Sequence, residues 1–377
     1  MFHNGDVMEA EDVVASMNRW LEKSPSGRSM KGANFVEEDP LTVSLILEEP
    51  ISDVLDMLAD RVQFPAIMPK EVIESEKAEG VTEYIGTGPF QFKEWRQDQY
   101  ILLEKFAQYS PQDAPTDGFS GKKEVFIDAV RFLFVPDHST RIAGLSSGEY
   151  HIVSETPNEY YEEFLNDPNF NTYTYQYGSL FVVYNKKQGL AANQIFRKAL
   201  NAAIHSEDMM KAGYVFEDLY DIDSSYMPES RVDWYSQNGS EYYNQANPDL
   251  AKELLEEVGY QGGPITLLSS RDYEYIYHAA VVLKETLEQI GVNVNLELYD
   301  WPTVLDRRQE EDLWDIHIGA APTPVTPTNL LFLNYNWVGW PEDPKMSSLL
   351  SKIKSSKERT EAQTYWHELQ GYLWEEY

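Results

Sequence analysis

The succession strand, helix, strand near residues 264–298 is the feature that most limits the fold of this chain. Residues 264–268 and 292–298 are short apolar runs, and the second, VNVNLEL, alternates strictly between apolar and polar side chains. Residues 273–290 between them have apolar side chains at helical spacing, and Gly291 follows, as is typical of a helix C-terminus. Two strands joined by a helix predict a βαβ unit and a parallel or mixed sheet. We therefore expect an α/β fold.

The alternation of helical and extended patterns continues toward the N-terminus. The apolar spacing predicts a helix over residues 10–23, a hairpin of strands over 90–95 and 100–106, and two further strands over 170–177 and 180–184. With 377 residues, the chain is long enough for two or three hydrophobic cores. A multi-domain α/β protein is the expectation.

The charge of the chain excludes several classes of partner and site. Sixty-three acidic residues against 30 basic ones give a net charge of −33, which repels phosphate backbones and anionic lipids and argues against nucleic acid as a partner. The chain has no cysteine, which excludes disulfides, thiolate metal sites and cysteine nucleophiles. No apolar run of about 18 residues is present, so no membrane-spanning helix is predicted.

The local motifs do not indicate catalysis. The glycine cluster at residues 86–90, GTGPF, lacks the third glycine of a dinucleotide fingerprint and the lysine of a P-loop, and it predicts a structural turn. The seven histidines are dispersed, and no Gly-x-Ser-x-Gly elbow occurs. We expect no catalytic residue, metal or cofactor. A pair of catalytic carboxylates among the 63 acids stays open, so a secreted glycan hydrolase is the rival function, and an adhesin or scaffold is a third.

Two tryptophans stand directly before a proline, in Asp300-Trp301-Pro302 and in Gly339-Trp340-Pro341. Proline restricts the backbone of the residue before it, so each position can present a rigid ring into a cleft. Packing between domains explains the same rings equally well, and the sequence does not separate the two roles.

Five ordered segments carry a family resemblance. They are FHNG at 2–5 with AEDVV at 10–14, GTGPF at 86–90, Pro136-Asp137 with Ser147-Gly148-Glu149, Tyr184-Asn185 with FRKAL at 196–200, and DLAK at 249–252 with Gly259-Tyr260. In this order they resemble the peptide-type solute-binding proteins of ABC importers, the group that contains the dipeptide-, oligopeptide- and nickel-binding proteins. His151 stands where that family usually has aspartate.

The resemblance implies an α/β, two-lobed, type II periplasmic-binding-protein-like fold, with mixed sheets, hinge strands and an extra subdomain in the first lobe. Residues 1–107 and 108–184 would form parts of the first lobe, and residues 185–377 the second. A monomer would capture a small ligand between the lobes and deliver it to the permease subunits of an ABC transporter. It would work outside the cytoplasm, in the periplasm or on the outer membrane face through a lipid anchor not present in this chain. The chain would be a fragment lacking both ends.

The ligand is a peptide or an oligosaccharide on this evidence. In the peptide binders of the family, a loop aspartate pairs with the ligand's amino terminus, whereas residues 319–329 contain no acid. A buried ammonium without a carboxylate partner is costly, so either the ligand differs or another acid supplies the charge. The candidate ligand contacts are Tyr177, Gly178, Trp301, Thr323, Asn329 and Trp340.

Overall fold

The computed structural model describes residues 1–60, 62–77 and 80–376. Two compact units are present: residues 1–49 with 57–157, and residues 50–56 with 158–377. The short segment 50–56 thus belongs to the second unit, although it lies within the predicted first subdomain. Arg61, Ala78, Glu79 and Tyr377 fall within the predicted lobes but outside the described residues. The lobe boundaries inferred from the sequence remain a prediction.

Helices and strands alternate through both units. The helices are α1 Ala10–Lys23, α2 Pro25–Ser29, α3 Val54–Leu58, α4 Lys70–Glu74, α5 His138–Ser147, α6 Tyr161–Asn166, α7 Gln194–Ala203, α8 Ser206–Tyr214, α9 Pro248–Glu257, α10 Glu274–Gln289, α11 Trp301–Arg307, α12 Pro344–Ser355 and α13 Arg359–Glu376. The strands are β1 Asn34–Asp39, β2 Thr42–Ile46, β3 Phe90–Arg96, β4 Tyr100–Lys105, β5 Ala129–Leu133, β6 Gly178–Tyr184, β7 Ile265–Ser270, β8 Val294–Tyr299 and β9 Ile316–Pro322. The predicted helix 10–23 and the predicted hairpin are confirmed.

The first unit contains a β1–β2 hairpin and an antiparallel sheet in the order β3-β4-β5. The GTGPF turn precedes β3, as the sequence indicates, and His3 fastens it to the N-terminal FHNG segment. The Gly86 amide donates to Nδ1 of His3 at 3.2 Å, and the opposite ring nitrogen lies 2.9 Å from the Gly88 carbonyl. Because Nδ1 accepts, the proton is on Nε2, which donates to that carbonyl. The FHNG and GTGPF segments, which both carry the family resemblance, are therefore hydrogen-bonded to each other through His3.

The second unit is built on a four-stranded sheet in the order β6-β9-β7-β8. Strands β7, β8 and β9 are parallel, and β6 runs antiparallel to β9 from the pair Gly178–Pro322 to the pair Tyr184–Ile316. Helix α10 connects β7 to β8, so the predicted βαβ unit is confirmed.

The two faces of this sheet have different cores. Helices α7 to α10 cover one face with aliphatic residues such as Leu200, Leu283 and Leu287, which are almost fully buried. The other face carries Leu268, Trp314 and, from α11, the buried Val304 and the half-buried Trp301. Helices α12 and α13 form a separate core around the fully buried Trp366.

Two sequence-based expectations are wrong in detail. The predicted strand 170–177 does not form, because the side chains of Tyr173, Tyr175 and Tyr177 are all more than half exposed and no strand in the described ranges pairs with the segment. Apolar alternation cannot supply that partner. The segment beginning at Gly319, expected as a loop, continues β9 to Pro322, because β6 pairs along its whole length. The loop therefore comprises residues 323–329.

Candidate functional site

One end of the sheet in the second unit collects most of the predicted ligand contacts. Strands β7, β8 and β9 finish there at Ser270, Tyr299 and Pro322, and the antiparallel β6 begins there at Gly178. We call this the carboxyl end of the sheet. In open α/β sheets with parallel strands, ligands bind outside the carboxyl ends of the strands.

Tyr177, Gly178 and Thr323 come together through the backbone at this end. The Thr323 amide donates to the Tyr177 carbonyl at 3.3 Å, and the Tyr177 side chain is 54% exposed. Gly178 has a packing reason of its own, because a Cβ atom there would collide with the Ala321 carbonyl oxygen. Thus Tyr177 offers an accessible ring, whereas Gly178 allows β9 to approach β6.

Trp301 also lies at the carboxyl end, as the first residue of α11. Its amide donates to Oδ2 of Asp272 at 2.7 Å, and its ring meets that of Tyr273 edge to face, with centroids 5.4 Å apart. Asp300 caps the helix by accepting from the Thr303 amide at 3.0 Å, and the Thr303 hydrogen bonds hold the pKa of Asp300 below its usual value. The backbone at the start of α11 is thereby fixed by Asp272 and Asp300, and the half-buried indole of Trp301 packs against Tyr273.

His317 lies in the middle of β9, with its ring centroid 6.5 Å from that of Trp301. It is fully buried. Its Nδ1 lies 3.2 Å from the Leu268 carbonyl, so Nδ1 carries the proton, and Nε2 hydrogen-bonds no group in the part of the chain that the structure describes. Burial, assisted by the positive charge of Arg308, lowers the pKa of His317 to about 4. The imidazole is therefore neutral at neutral pH and serves as packing between Trp301 and Trp314.

Trp340 lies at the opposite, amino end of the sheet, away from the other predicted contacts. The Gly339 carbonyl accepts from the Lys186 amide at 3.2 Å, just beyond the last residue of β6. The Trp340 ring stacks on Trp314, with centroids 5.8 Å apart, and Lys187 Nζ is 5.5 Å from its centroid. At about 3.3 Å per residue, β6 separates this ring from Gly178 by about 20 Å.

The loop 323–329 is joined to a residue that the sequence analysis did not single out. The Thr328 hydroxyl donates to Oδ2 of Asp53 at 2.6 Å, and Thr326 Oγ1 lies 3.0 Å from Thr328 Oγ1. Asp53 is 1% exposed. Asn329, the last predicted contact, ends the same loop, and its amide donates to the Thr326 carbonyl at 3.2 Å. Since 275 positions separate Asp53 from Thr328, no local sequence signal indicates this contact.

No group of three or more His, Cys, Asp or Glu side chains within residues 1–60, 62–77 and 80–376 is arranged to hold a metal ion. The predicted contacts at the carboxyl end of the sheet are rings, hydroxyls and backbone groups. In those same ranges no helix is both long and apolar enough to cross a bilayer.

The family profile "Bacterial extracellular solute-binding proteins, family 5 Middle" matches residues 1–341. The chain belongs to this family. As a family 5 solute-binding protein of ABC importers, it is a binding protein and not an enzyme, so the rival hydrolase is set aside.

Among its relatives is a probable peptide ABC transporter periplasmic-binding protein of Sinorhizobium fredii, 25% identical over 99% of this chain and 74% of the relative. The crystal structure of a putative peptide-binding protein AppA from Clostridium difficile superposes with a TM-score of 0.82 at 22% identity, over 99% of this chain and 78% of that one. The protein AgaA of Agrobacterium tumefaciens R10, in complex with agropinic acid, superposes with a TM-score of 0.76 at 21% identity, over 99% and 76%. The type II periplasmic-binding-protein fold expected from the sequence is confirmed.

Proposed function

We propose that this family 5 protein captures a short peptide at the carboxyl end of the second unit's sheet and delivers it to an ABC importer. The observation that carries the proposal is the convergence of Tyr177, Trp301 and Thr323 at the end of the sheet where the parallel strands finish. The peptide class is supported by the relative from Sinorhizobium fredii, whose name describes a probable peptide transporter protein. Capture between two lobes follows only from the family and stays a prediction.

The groups at this end match the needs of a peptide ligand. A peptide offers backbone donors and acceptors at regular spacing, which the half-buried residues at the start of the loop 323–329 can meet with their own backbone groups. A micromolar ligand requires about −8 kcal/mol of net binding free energy. One or two aromatic contacts and a few hydrogen bonds supply this amount when the contacting groups are already held in place. Trp301 is held in this way by Asp272 and Tyr273.

An oligosaccharide is the second candidate ligand, because the exposed ring of Tyr177 can also stack on a sugar face. The structure in complex with agropinic acid indicates that this fold also accommodates a compound that is not a peptide in another protein. We further propose that the protein acts as a monomer outside the cytoplasm, either in the periplasm or on the outer membrane face through a lipid anchor not present in this chain.

A ligand screen tests the proposed function. The protein is incubated with a random tripeptide pool and, separately, with a pool of oligosaccharides, and the thermal midpoint and any turnover are measured. A ligand at 100 times its dissociation constant stabilises the folded state by about 2.7 kcal/mol, so a saturable rise of the midpoint with peptides and no product is expected. A rise with the oligosaccharides alone would contradict the peptide proposal, and turnover of either pool would contradict capture without chemistry.

A further inference from the structure

Asp53 is held in a fixed position within the second unit. Its neighbour Ser52 donates from Oγ to the Ile353 carbonyl at 3.1 Å and from its amide to the Lys354 carbonyl at 3.3 Å. Three residues after Asp53, Asp56 accepts from Nη2 of Arg359 at 2.6 Å. The segment 50–56 is thus fastened on both sides of Asp53 to the end of α12 and the start of α13.

The hydrogen bonds around Asp53 have a defined direction. A carboxylate only accepts, so the single hydroxyl proton of Thr328 is committed to Oδ2 of Asp53. The Thr328 oxygen must therefore accept from the Thr326 hydroxyl, 3.0 Å away. This chain of donors satisfies Oδ2 and places the carboxylate beside the loop that begins at Thr323.

The second carboxylate oxygen is not satisfied by the protein. Oδ1 of Asp53 is buried and hydrogen-bonds no group in the described ranges 1–60, 62–77 and 80–376. A buried acceptor without a partner is costly, and a buried charged one more so. A donor that carries a positive charge would remove this cost and gain a charge-assisted hydrogen bond away from bulk water. Since Asp53 as a whole residue is only 1% exposed, a compact donor fits better than a broad one.

We infer that Oδ1 of Asp53 receives a primary ammonium group of the ligand, so that Asp53 supplies the negative charge that the loop 323–329 lacks. The inference rests on the proposed function and specifies it: the ligand is a peptide with a free amino terminus or another primary amine. The Thr323 amide at the carboxyl end and Thr328 beside Asp53 are five residues apart, or at most about 17 Å of extended chain. A short peptide spans this distance.

The first experiment compares two tripeptide pools, one with free amino termini and one N-acetylated, by mass spectrometry of what each protein variant retains. Wild-type protein is expected to retain the free pool about 10–100-fold more strongly, the range expected for a hydrogen bond to a charged group. In Asp53→Asn this preference should disappear, since the substitution keeps the shape and removes the charge. Asp56→Asn is the matched control from the same segment and should keep the preference.

The second experiment needs only the wild-type protein and remains informative if Asp53→Asn does not fold. An α-amino group loses its proton near pH 8, so affinity for the free pool should fall about tenfold or more between pH 7 and pH 9.5, while affinity for the acetylated pool stays constant. Equal retention of both pools, a preference that survives Asp53→Asn, or parallel pH profiles would overturn the inference and leave peptide capture standing, with Oδ1 met by solvent only. Retention of neither pool would overturn the proposed function and the inference together.

Discussion

The two Trp-Pro sequences of this chain lie at opposite ends of one sheet and have different surroundings. At the carboxyl end, Trp301 begins α11, and its ring meets Tyr273 edge to face. At the amino end, Trp340 has a positive φ of 48° and stacks on the buried Trp314. The same dipeptide therefore gives a fixed ring near the proposed ligand position in one case and a ring stacked on Trp314 in the other, for which we expect a packing role. Chain connectivity, and not the dipeptide, decides between them.

The largest effect is expected from removing the ring at the amino end. Trp340→Ala should lower the free energy of unfolding by about 3 kcal/mol, because a large aromatic contact with Trp314 is replaced by a cavity. Ligand affinity should stay within about twofold, since Gly178 is about 20 Å away along β6. Urea unfolding and calorimetric titration measure the two quantities. A loss of affinity with unchanged stability would restore Trp340 to the binding site.

Acidification should weaken the region between the two ends. The pKa of His317 is lowered to about 4, so the unfolded chain takes up a proton below about pH 6.5 and the folded chain does not until about pH 4. Stability due to this group is therefore present above pH 6.5 and is lost as the pH falls to 4, by about 3 kcal/mol.

The measurement for His317 is urea unfolding at pH 7, 5.5 and 4.5, in the wild type and in His317→Gln, which does not titrate. The remaining carboxylates contribute equally to both proteins, so the difference between the two profiles isolates His317. Parallel profiles would mean that the imidazole is not buried in its neutral form between Trp301 and Trp314.

Removing the ring at the carboxyl end should have the opposite outcome to Trp340→Ala. Trp301→Ala is expected to weaken peptide binding by about 2 kcal/mol, as for an aromatic contact at the centre of an interface. The variant Trp301→Phe, which retains a ring, should recover part of the affinity. Trp95→Ala, at a tryptophan of the first unit that is 52% exposed, controls for unspecific loss of a ring. Titration calorimetry that gives equal affinities for all three variants would remove Trp301 from the site.

The smallest effect concerns Gly178. In Gly178→Ala the new methyl group meets the Ala321 carbonyl oxygen, so a loss of about 1–2 kcal/mol of stability is expected from overpacking. Gly263→Ala is the matched control, because a Cβ atom there has only an ordinary contact with Leu190 at 3.9 Å. Equal thermal midpoints for the two variants would show that β6 and β9 are not closely apposed at the carboxyl end.

The sequence was sufficient for the local parts of the fold. Helix 10–23, the β3–β4 hairpin and the βαβ unit follow from apolar periodicity and glycine at a helix end, which are properties of neighbouring residues. Residues 170–177 have the alternation of a strand, but they pair with no strand in the described part of the chain, and periodicity carries no information about strand pairing. The loop expected over residues 319–329 begins only after Pro322 for the same reason, because the pairing of β6 with β9 extends that far.

The candidate site was only partly predictable. Tyr177, Gly178, Trp301, Thr323 and Asn329 were chosen because they lie next to strand ends or in a recognisable loop, and as ligand contacts they stay predictions. Trp340 shares the local pattern of Trp301 but lies at the other end of the sheet, and its role in binding is also untested. Asp53 was missed, because its contact with Thr328 joins residues 275 positions apart. Contacts of this kind depend on the completed fold and leave no periodic or motif signal.

Hydrogen–deuterium exchange with and without a bound peptide tests the central claim most directly, because it reports both ends of the sheet in one measurement. The account predicts ligand-dependent protection in peptides that cover residues 177–178, 299–303 and 322–329, and none in peptides that cover residues 338–341. Protection confined to residues 338–341, or absent from the carboxyl end when binding is saturated, would contradict it.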